Sequence, residues 1–135
     1  GMGMKLQKNA IDRGIIAKNI DAMLTVYGEG LGLELEAKIP MPGGGTMNRF
    51  KVGDSIVKVI ELDPAAAAEA PPGGIRGATG YRYWTIHTPD LGEVIRKIEN
   101  DGYKIVVPVK TIREGVAIAI VADPDGNWVE LLENS

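Results

Sequence analysis

The feature that most restricts the fold of this chain is an internal repeat. The stretch DSIVKVIE at residues 54–61 aligns without a gap on GNWVELLE at residues 126–133, which places Lys58 over Glu130. Each stretch closes a series of segments that occur in the same order. Two copies of one structural unit therefore explain the chain most economically.

The first copy predicts the order strand, helix, strand, strand, strand. AIDRGIIAK has the character of a strand, and apolar residues recur at helical spacing after Asn19 until glycines end the helix. A flexible PGGGT stretch at residues 42–46 separates two further strand segments. Gly53-Asp54 divides the second of these, which predicts a β-hairpin.

The second copy repeats this order after residue 80. YRYWTIHT predicts a strand, and Asp90 with Glu93 three places on predicts a capping pair at the start of a helix. Gly102 predicts the end of that helix. Three strand segments follow, KIVVPVKTI, GVAIAIVAD and NWVELLE, so both halves predict one βαβββ module.

Between the halves, residues 63–80 read DPAAAAEAPPGGIRGATG and show no periodicity. Such a stretch rich in Ala, Pro and Gly predicts a surface linker, and its four alanines are compatible with a short helical turn. We therefore predict a first module at residues 1–62, a linker at 63–80 and a second module at 81–135. The predicted fold class is α+β, with both modules in one domain.

Composition excludes several classes of protein. The 135 residues carry a net charge of −3 without a block of Lys and Arg, which argues against a nucleic-acid or anionic-membrane partner. The absence of cysteine excludes disulfides, thiolate metal sites and cysteine nucleophiles. No apolar stretch approaches the roughly 20 residues of a membrane span, and GMGMKLQKN lacks a signal-peptide core. These observations predict a cytoplasmic protein.

The C-terminal segment GVAIAIVADPDGNWVELLENS predicts a hairpin, because a turn-forming DPDGN sequence separates two apolar runs. Side chains alternate across a strand, so Trp128, Glu130 and Leu132 share one face. Local pattern leaves two interpretations of Glu130. It is either an exposed acid on a solvated sheet or an acid that faces a cavity.

Three segments carry a family resemblance: IDRGIIAKNIDAMLTVYGEGLGLEL, YRYWTIHTPDLGEVIRKIENDGYKI and DPDGNWVELLE. Together they resemble the vicinal oxygen chelate superfamily, which includes glyoxalase I, extradiol dioxygenases, methylmalonyl-CoA epimerase and the bleomycin and fosfomycin resistance proteins. The resemblance covers nearly the whole chain. It implies two tandem βαβββ modules whose curved mixed sheets form half-barrels around a cavity, and it implies a homodimer.

The resemblance also implies four metal-ligand positions, one on the first and one on the last strand of each module. Asp12 and Tyr83 occupy the positions that are usually histidine. Lys58 and Glu130 occupy the positions that are usually glutamate, so Glu130 is expected to face the cavity. Three of the four positions therefore depart from the usual residues.

The chemistry of these side chains favours a cavity without a metal. A lysine ammonium has no lone pair to donate, and Lys58 between Asp12 and Glu130 would compensate their charge. Glu130, Asp12 and Lys58 are the candidate catalytic residues. A slipped register would instead turn Glu61 inward, and a divalent metal, if bound, would use Asp12, Glu130 and His87.

Tyr83, His87 and Trp128 are the candidate ligand-binding residues. Alternation puts His87 on the side of Tyr83 and Trp128 on the side of Glu130, which the resemblance implies is the side of the cavity. Each also has a purely structural interpretation. Tyr83 is equally a packing residue with a satisfied hydroxyl, and His87 is also a solvated residue at the end of its strand. Trp128 forms an apolar wall for a ligand or plugs the barrel.

These residues predict a protein that binds a small organic molecule in a metal-free cavity, as in the bleomycin resistance branch. The alternative is a metal-dependent lyase, isomerase or dioxygenase of the same superfamily. A metal-free enzyme, with Glu130 or Asp12 as base and Lys58 beside an enolate oxygen, stays open. A structural subunit with a cavity filled by its own side chains is the third class.

Overall fold

Each half of the chain forms one four-stranded mixed sheet in the computed structural model, which describes residues 3–135. The first sheet has the order β1-β4-β3-β2 and consists of β1 (Asp12–Ile16), β2 (Glu34–Pro40), β3 (Gly45–Val52) and β4 (Ser55–Leu62). The second has the order β5-β8-β7-β6 and consists of β5 (Tyr83–His87), β6 (Ile105–Arg113), β7 (Val116–Ala122) and β8 (Trp128–Asn134).

The same pairing pattern occurs in both sheets. The first and last strands of each module pair in parallel, β1 with β4 and β5 with β8, and the remaining neighbours are antiparallel. The sheets are curved but not closed. The predicted α+β class and the two tandem βαβββ modules are confirmed.

One helix follows the first strand of each module. Helix α1 (Ile20–Thr25) continues as a π-helical turn over Val26–Gly30, and α2 (Leu91–Asn100) ends at a glycine with φ of 80°.

The linker contains a 3-10 turn at Gly74–Arg76. No helical turn forms at the four alanines of residues 65–68, so that interpretation was wrong. No helix within the described part of the chain is long and apolar enough to span a membrane.

The start of α2 is capped differently from the sequence prediction. Asp90 makes no side-chain capping bond; its own backbone N–H donates to Thr88 Oγ1 at 3.3 Å. The helix receives its capping acceptor from β8, where Glu133 Oε1 accepts from the Leu91 N–H at 3.0 Å. The proposed Asp90 and Glu93 capping pair was therefore wrong, because an acid from the last strand already occupies that place.

The two modules share one apolar core on the side of the sheets that carries the helices. Val57 and Val59 of β4 and Val129 and Leu131 of β8 point into this core, where Tyr27 is fully buried. Burial of this apolar surface holds the modules together. The opposite side of each sheet carries the candidate residues, and we call it the open face of that module.

The DPDGN turn between β7 and β8 connects the modules through hydrogen bonds. Tyr27 donates its hydroxyl to Asp123 Oδ2 at 2.8 Å across the shared core. Asp125 accepts the backbone N–H groups of Lys18 and Asn19 at 2.6 and 3.1 Å, where the chain enters α1. The turn that carried the family resemblance thus positions the first helix of the other module.

Candidate functional site

The open face of module 1 is defined by the register of its strands. Gly14 of β1 and Arg49 of β3 lie opposite Lys58 of β4, and Asp12 lies opposite Ile56. Side chains of alternate residues share a face, so this face carries Asp12, Met47, Arg49, Ile56, Lys58 and Ile60. Glu61 is exposed on the other side of β4, so the register favoured from the sequence is the register found here.

Asp12 lies between two ammonium groups on this face. Lys8 Nζ lies 2.7 Å from Asp12 Oδ1, and Lys58 Nζ lies 3.4 Å from Asp12 Oδ2. The hydrogen bond from Lys8, helped by the nearby Lys58, holds the pKa of Asp12 below its ordinary value of 3.8. A carboxylate stabilised in its charged form in this way is a weak base, which argues for a binding role of Asp12 rather than proton transfer.

The open face of module 2 brings the other candidates together. Parallel pairing sets Tyr83 opposite Trp128, Thr85 opposite Glu130 and His87 opposite Leu132. The Thr85 hydroxyl donates to Glu130 Oε1 at 2.7 Å. Alternation places Ile120 of β7, the neighbour of Glu130, on the same face. Glu130 is thus a half-buried carboxylate whose orientation is fixed by a hydroxyl donor.

Tyr83 and His87 are exposed at the two ends of β5, and Tyr83 retains 45% of its accessible surface. Trp128 is half-buried because the linker packs against its ring at Gly74, where a Cβ atom would overlap the indole. Arg82 holds this segment by donating to the Gly74 carbonyl oxygen at 2.7 Å. The linker therefore shapes one wall of the open face of module 2.

The sequence predicts Lys58 between two carboxylates, and within one chain Lys58 has only one of them beside it. Lys58 pairs with Asp12, while no hydrogen bond or ion pair within residues 3–135 joins Lys58 to Glu130. The two residues belong to separate sheets that share no strand pairing. The arrangement therefore consists of two partial sites, a charged one on module 1 and a mixed apolar and acidic one on module 2.

Within one chain, the donors on the open faces do not meet around one point as a divalent metal ion requires. Such an ion needs several oxygen or imidazole lone pairs around one point. The ammonium of Lys58 contacts Asp12, and no group of three His, Cys, Asp or Glu side chains with metal-site geometry occurs in the described part of the chain. His87 lies opposite Leu132, on the other sheet from Asp12.

Two residues of the open faces were missed in the sequence. Thr85 lies two places after Tyr83 and follows from the parallel pairing of β5 with β8. Arg49 follows from the hairpin alone, because a two-residue turn at Gly53-Asp54 sets it opposite Lys58. The signal for Arg49 was therefore present in the sequence.

A surface cavity of about 330 Å³ lies elsewhere, at the junction of the modules. Its lining includes Val26, Tyr103, Lys104 and Asp123. None of the candidate residues lines this cavity. This cavity is therefore separate from the open faces.

The chain is similar to known proteins in sequence and structure. The family model described as "Glyoxalase/Bleomycin resistance protein/Dioxygenase superfamily" matches residues 10–131. The uncharacterized protein YwbC of Bacillus subtilis strain 168 is 26% identical over 122 residues, which cover 89% of this chain and 93% of that protein.

Solved structures show the same fold. A glyoxalase family protein from Bacillus cereus has a TM-score of 0.81 at 17% identity. The match covers 99% of this chain and 98% of that chain. A glyoxalase/bleomycin resistance protein from a Streptomyces species has a TM-score of 0.67 at 19% identity. The match covers 94% of this chain and 99% of that chain.

Proposed function

Because the chain belongs to the glyoxalase/bleomycin resistance protein/dioxygenase superfamily, we propose that it binds a small organic molecule on its open faces without a metal ion. The observation that carries this proposal is the Lys58 ammonium, 3.4 Å from Asp12, at a position implied to be a metal ligand. A cation supplied by the protein takes the place of a cation from solution. Tyr83, Trp128 and Glu130 then contact the ligand from the other module.

The alternative is a metal-dependent lyase, isomerase or dioxygenase. It requires Asp12, Glu130 and His87 to converge on one ion, and the first of these is already paired with Lys8 and Lys58. A metal would have to displace the two ammonium groups that pair with Asp12, and the Lys58 ammonium has no lone pair with which to bind the metal in turn. The donor chemistry therefore favours binding over metal-dependent catalysis.

Nuclear magnetic resonance tests the proposal directly, because the chain has two tryptophans in different places. Trp128 lies on the open face of module 2, while Trp84 packs against the shared core. We expect 4-methylbenzoate or 4-methylbenzamide to shift the Trp128 indole N–H resonance saturably, with or without EDTA. The Trp84 resonance should move little, and Trp128→Phe assigns the two peaks.

Elemental analysis of protein purified without a histidine tag completes this test. If neither compound shifts the Trp128 resonance, the proposed function is wrong. Near-stoichiometric metal retained after dialysis, and lost in Glu130→Gln, would favour the metal-dependent alternative instead.

We further propose that a second copy of the chain covers the open faces. Ile16 on module 1 and Tyr83 on module 2 remain 47% and 45% exposed, although both lie on sheet faces rather than in loops. Apolar side chains on an open sheet face are typical of an interface. Pairing the open face of one chain with that of another would enclose a ligand cavity.

Size-exclusion chromatography with light scattering should therefore give twice the mass of one chain. Ile16→Glu is expected to weaken this dimer at least tenfold, because it places a charge in the apolar contact. Leu35→Glu is the matched control, since Leu35 is similarly exposed at 40% but pairs with the core residue Phe50 and so does not project onto the open face. A monomeric wild-type protein, or equal effects of both substitutions, would contradict the proposed pairing.

A further inference from the structure

Two cationic side chains lie directly opposite one another on the open face of module 1. Arg49 of β3 pairs with Lys58 of β4 in the antiparallel register. Residues opposed in this way have Cβ atoms about 4.5 to 5.5 Å apart, and like charges at such positions destabilise a sheet. The pair is therefore costly to the isolated fold unless an anion compensates it.

The compensation inside the chain is incomplete. Lys58 has Asp12 at 3.4 Å and Arg49 has Glu36 at 3.3 Å, both longer than the roughly 2.7 to 2.9 Å of a strong charge-assisted hydrogen bond. Asp12 is also shared with Lys8 at 2.7 Å. Three cations thus share two carboxylates, and the cluster keeps an excess positive charge.

Arg49 also keeps unused hydrogen-bonding capacity. A guanidinium offers five N–H donors in a planar fork. In the described part of the chain its Nε donates to Glu36, its Nη1 contacts the sulfur of Met47 at 4.0 Å, and its Nη2 makes no hydrogen bond. The side chain is nevertheless only 23% exposed, so its terminal nitrogens are partly removed from water and suited to an anion.

The surroundings of the pair are apolar. Ile16 of β1 and Met47 of β3 both lie opposite Ile60, two places from Lys58, and Ile39 of β2 lies opposite Met47. Ile16 and Ile39 retain 47% and 42% of their accessible surface. An anion bound by Arg49 and Lys58 would therefore lie against an aliphatic floor. This combination suits a ligand with one charged end and an apolar body.

We propose that the ligand is an organic carboxylate, held by Arg49 and Lys58 at its charged end and by the aliphatic floor along its body. This inference rests on the proposed function and specifies its ligand class. Glu130, which Thr85 holds on the other module, has no cationic partner in the described part of the chain and would repel a second anionic group. The ligand therefore carries its charge at one end only.

The test compares each acid with its neutral amide. Isothermal titration calorimetry on the full chain with 4-methylbenzoate and 4-methylbenzamide, and with octanoate and octanamide, should give about tenfold tighter binding of each acid. Arg49→Met and Lys58→Met are each expected to lower the affinity for the acids about tenfold and to leave that for the amides unchanged. Lys38→Met is the charge-matched control, because Lys38 pairs with Asn48 and so projects from the other side of β2.

The outcomes separate the two proposals. If amides bind wild-type protein as tightly as acids, the carboxylate inference is wrong while small-molecule binding stands. If no compound of either series binds, the proposed function fails as well. An equal loss in Lys38→Met would show that net charge, rather than the Arg49 and Lys58 pair, causes the preference. The affinities of the wild-type protein for acids and amides test the carboxylate inference even if a variant does not fold.

Discussion

Replacing Asp123 by alanine is expected to lower the free energy of unfolding by roughly 2 to 3 kcal/mol, because buried hydrogen-bond donors lose their acceptor. The carboxyl group is 5% exposed and accepts hydrogen bonds from the Tyr27 hydroxyl at 2.8 Å and the Asn127 backbone N–H at 2.9 Å. It also accepts from the Asn127 amide at 2.9 Å and the Asp125 N–H at 3.0 Å. Alanine would leave the buried Tyr27 hydroxyl without its acceptor. Urea unfolding followed by circular dichroism measures the loss.

The pH dependence of stability provides a second test of Asp123. Burial raises the pKa of this carboxyl above its ordinary value of 3.8, and hydrogen bonds from Asn127 and Tyr27 only partly oppose the effect. A group whose pKa is raised by folding contributes its full stability below the unfolded pKa and loses it as pH rises through the folded pKa. As the pH rises above about 4, the free energy of unfolding of the wild-type protein should therefore fall relative to that of Asp123→Asn.

Asp125→Ala is the matched control, since it removes an acid from the same turn. Asp125 accepts backbone N–H groups at the entrance to α1 and is less buried than Asp123. Its loss is expected to cost about 1 kcal/mol, as for a helix cap. Equal losses in the two variants would show that the turn as a whole, and not the buried carboxylate, connects the modules.

Local patterns were sufficient to predict the elements of the fold. Alternation in the last strand placed Trp128 and Glu130 on one face, and the spacing from the Gly53-Asp54 turn placed Lys58 rather than Glu61 on the open face. Strand period and turn geometry depend on a few neighbouring residues, so both can be recognised in a single sequence. The family resemblance then supplied the curvature of the two sheets around a cavity, which local pattern does not contain.

Contacts between distant parts of the chain were not predictable in the same way. Glu133 caps α2 from 42 residues away, and Tyr27 reaches Asp123 across 96 residues. Both hydrogen bonds depend on how curved sheets pack on helices. The spacing of residues along the sequence does not predict that packing. Lys58 does not lie between Asp12 and Glu130 within one chain for this reason, since that expectation assumed the relation of two sheets that share no strands.

The PGGGT stretch illustrates a different limit, because composition indicated flexibility where the structure shows constraint. Gly45 begins β3 with φ of 109°, and its carbonyl oxygen accepts the Met41 N–H at 3.0 Å. A Cβ atom on Gly45 would overlap the backbone carbonyl oxygen of Glu61 on the paired strand. Runs of glycine therefore mark either mobile chain or close backbone approach, and sequence alone does not separate them.

Gly45→Ala is accordingly expected to destabilise the protein by roughly 3 kcal/mol or more, because it combines a strained φ with a backbone overlap. Gly43→Ala serves as the control in the same turn. Gly43 also has a positive φ, 85°, but a Cβ atom there has nothing within 4 Å, so only the conformational cost of about 1 to 2 kcal/mol applies. Thermal and urea unfolding of the two variants should differ accordingly. Equal losses would mean that the β3 and β4 strands can separate at Gly45 without cost, and that the stretch is flexible as its composition indicated.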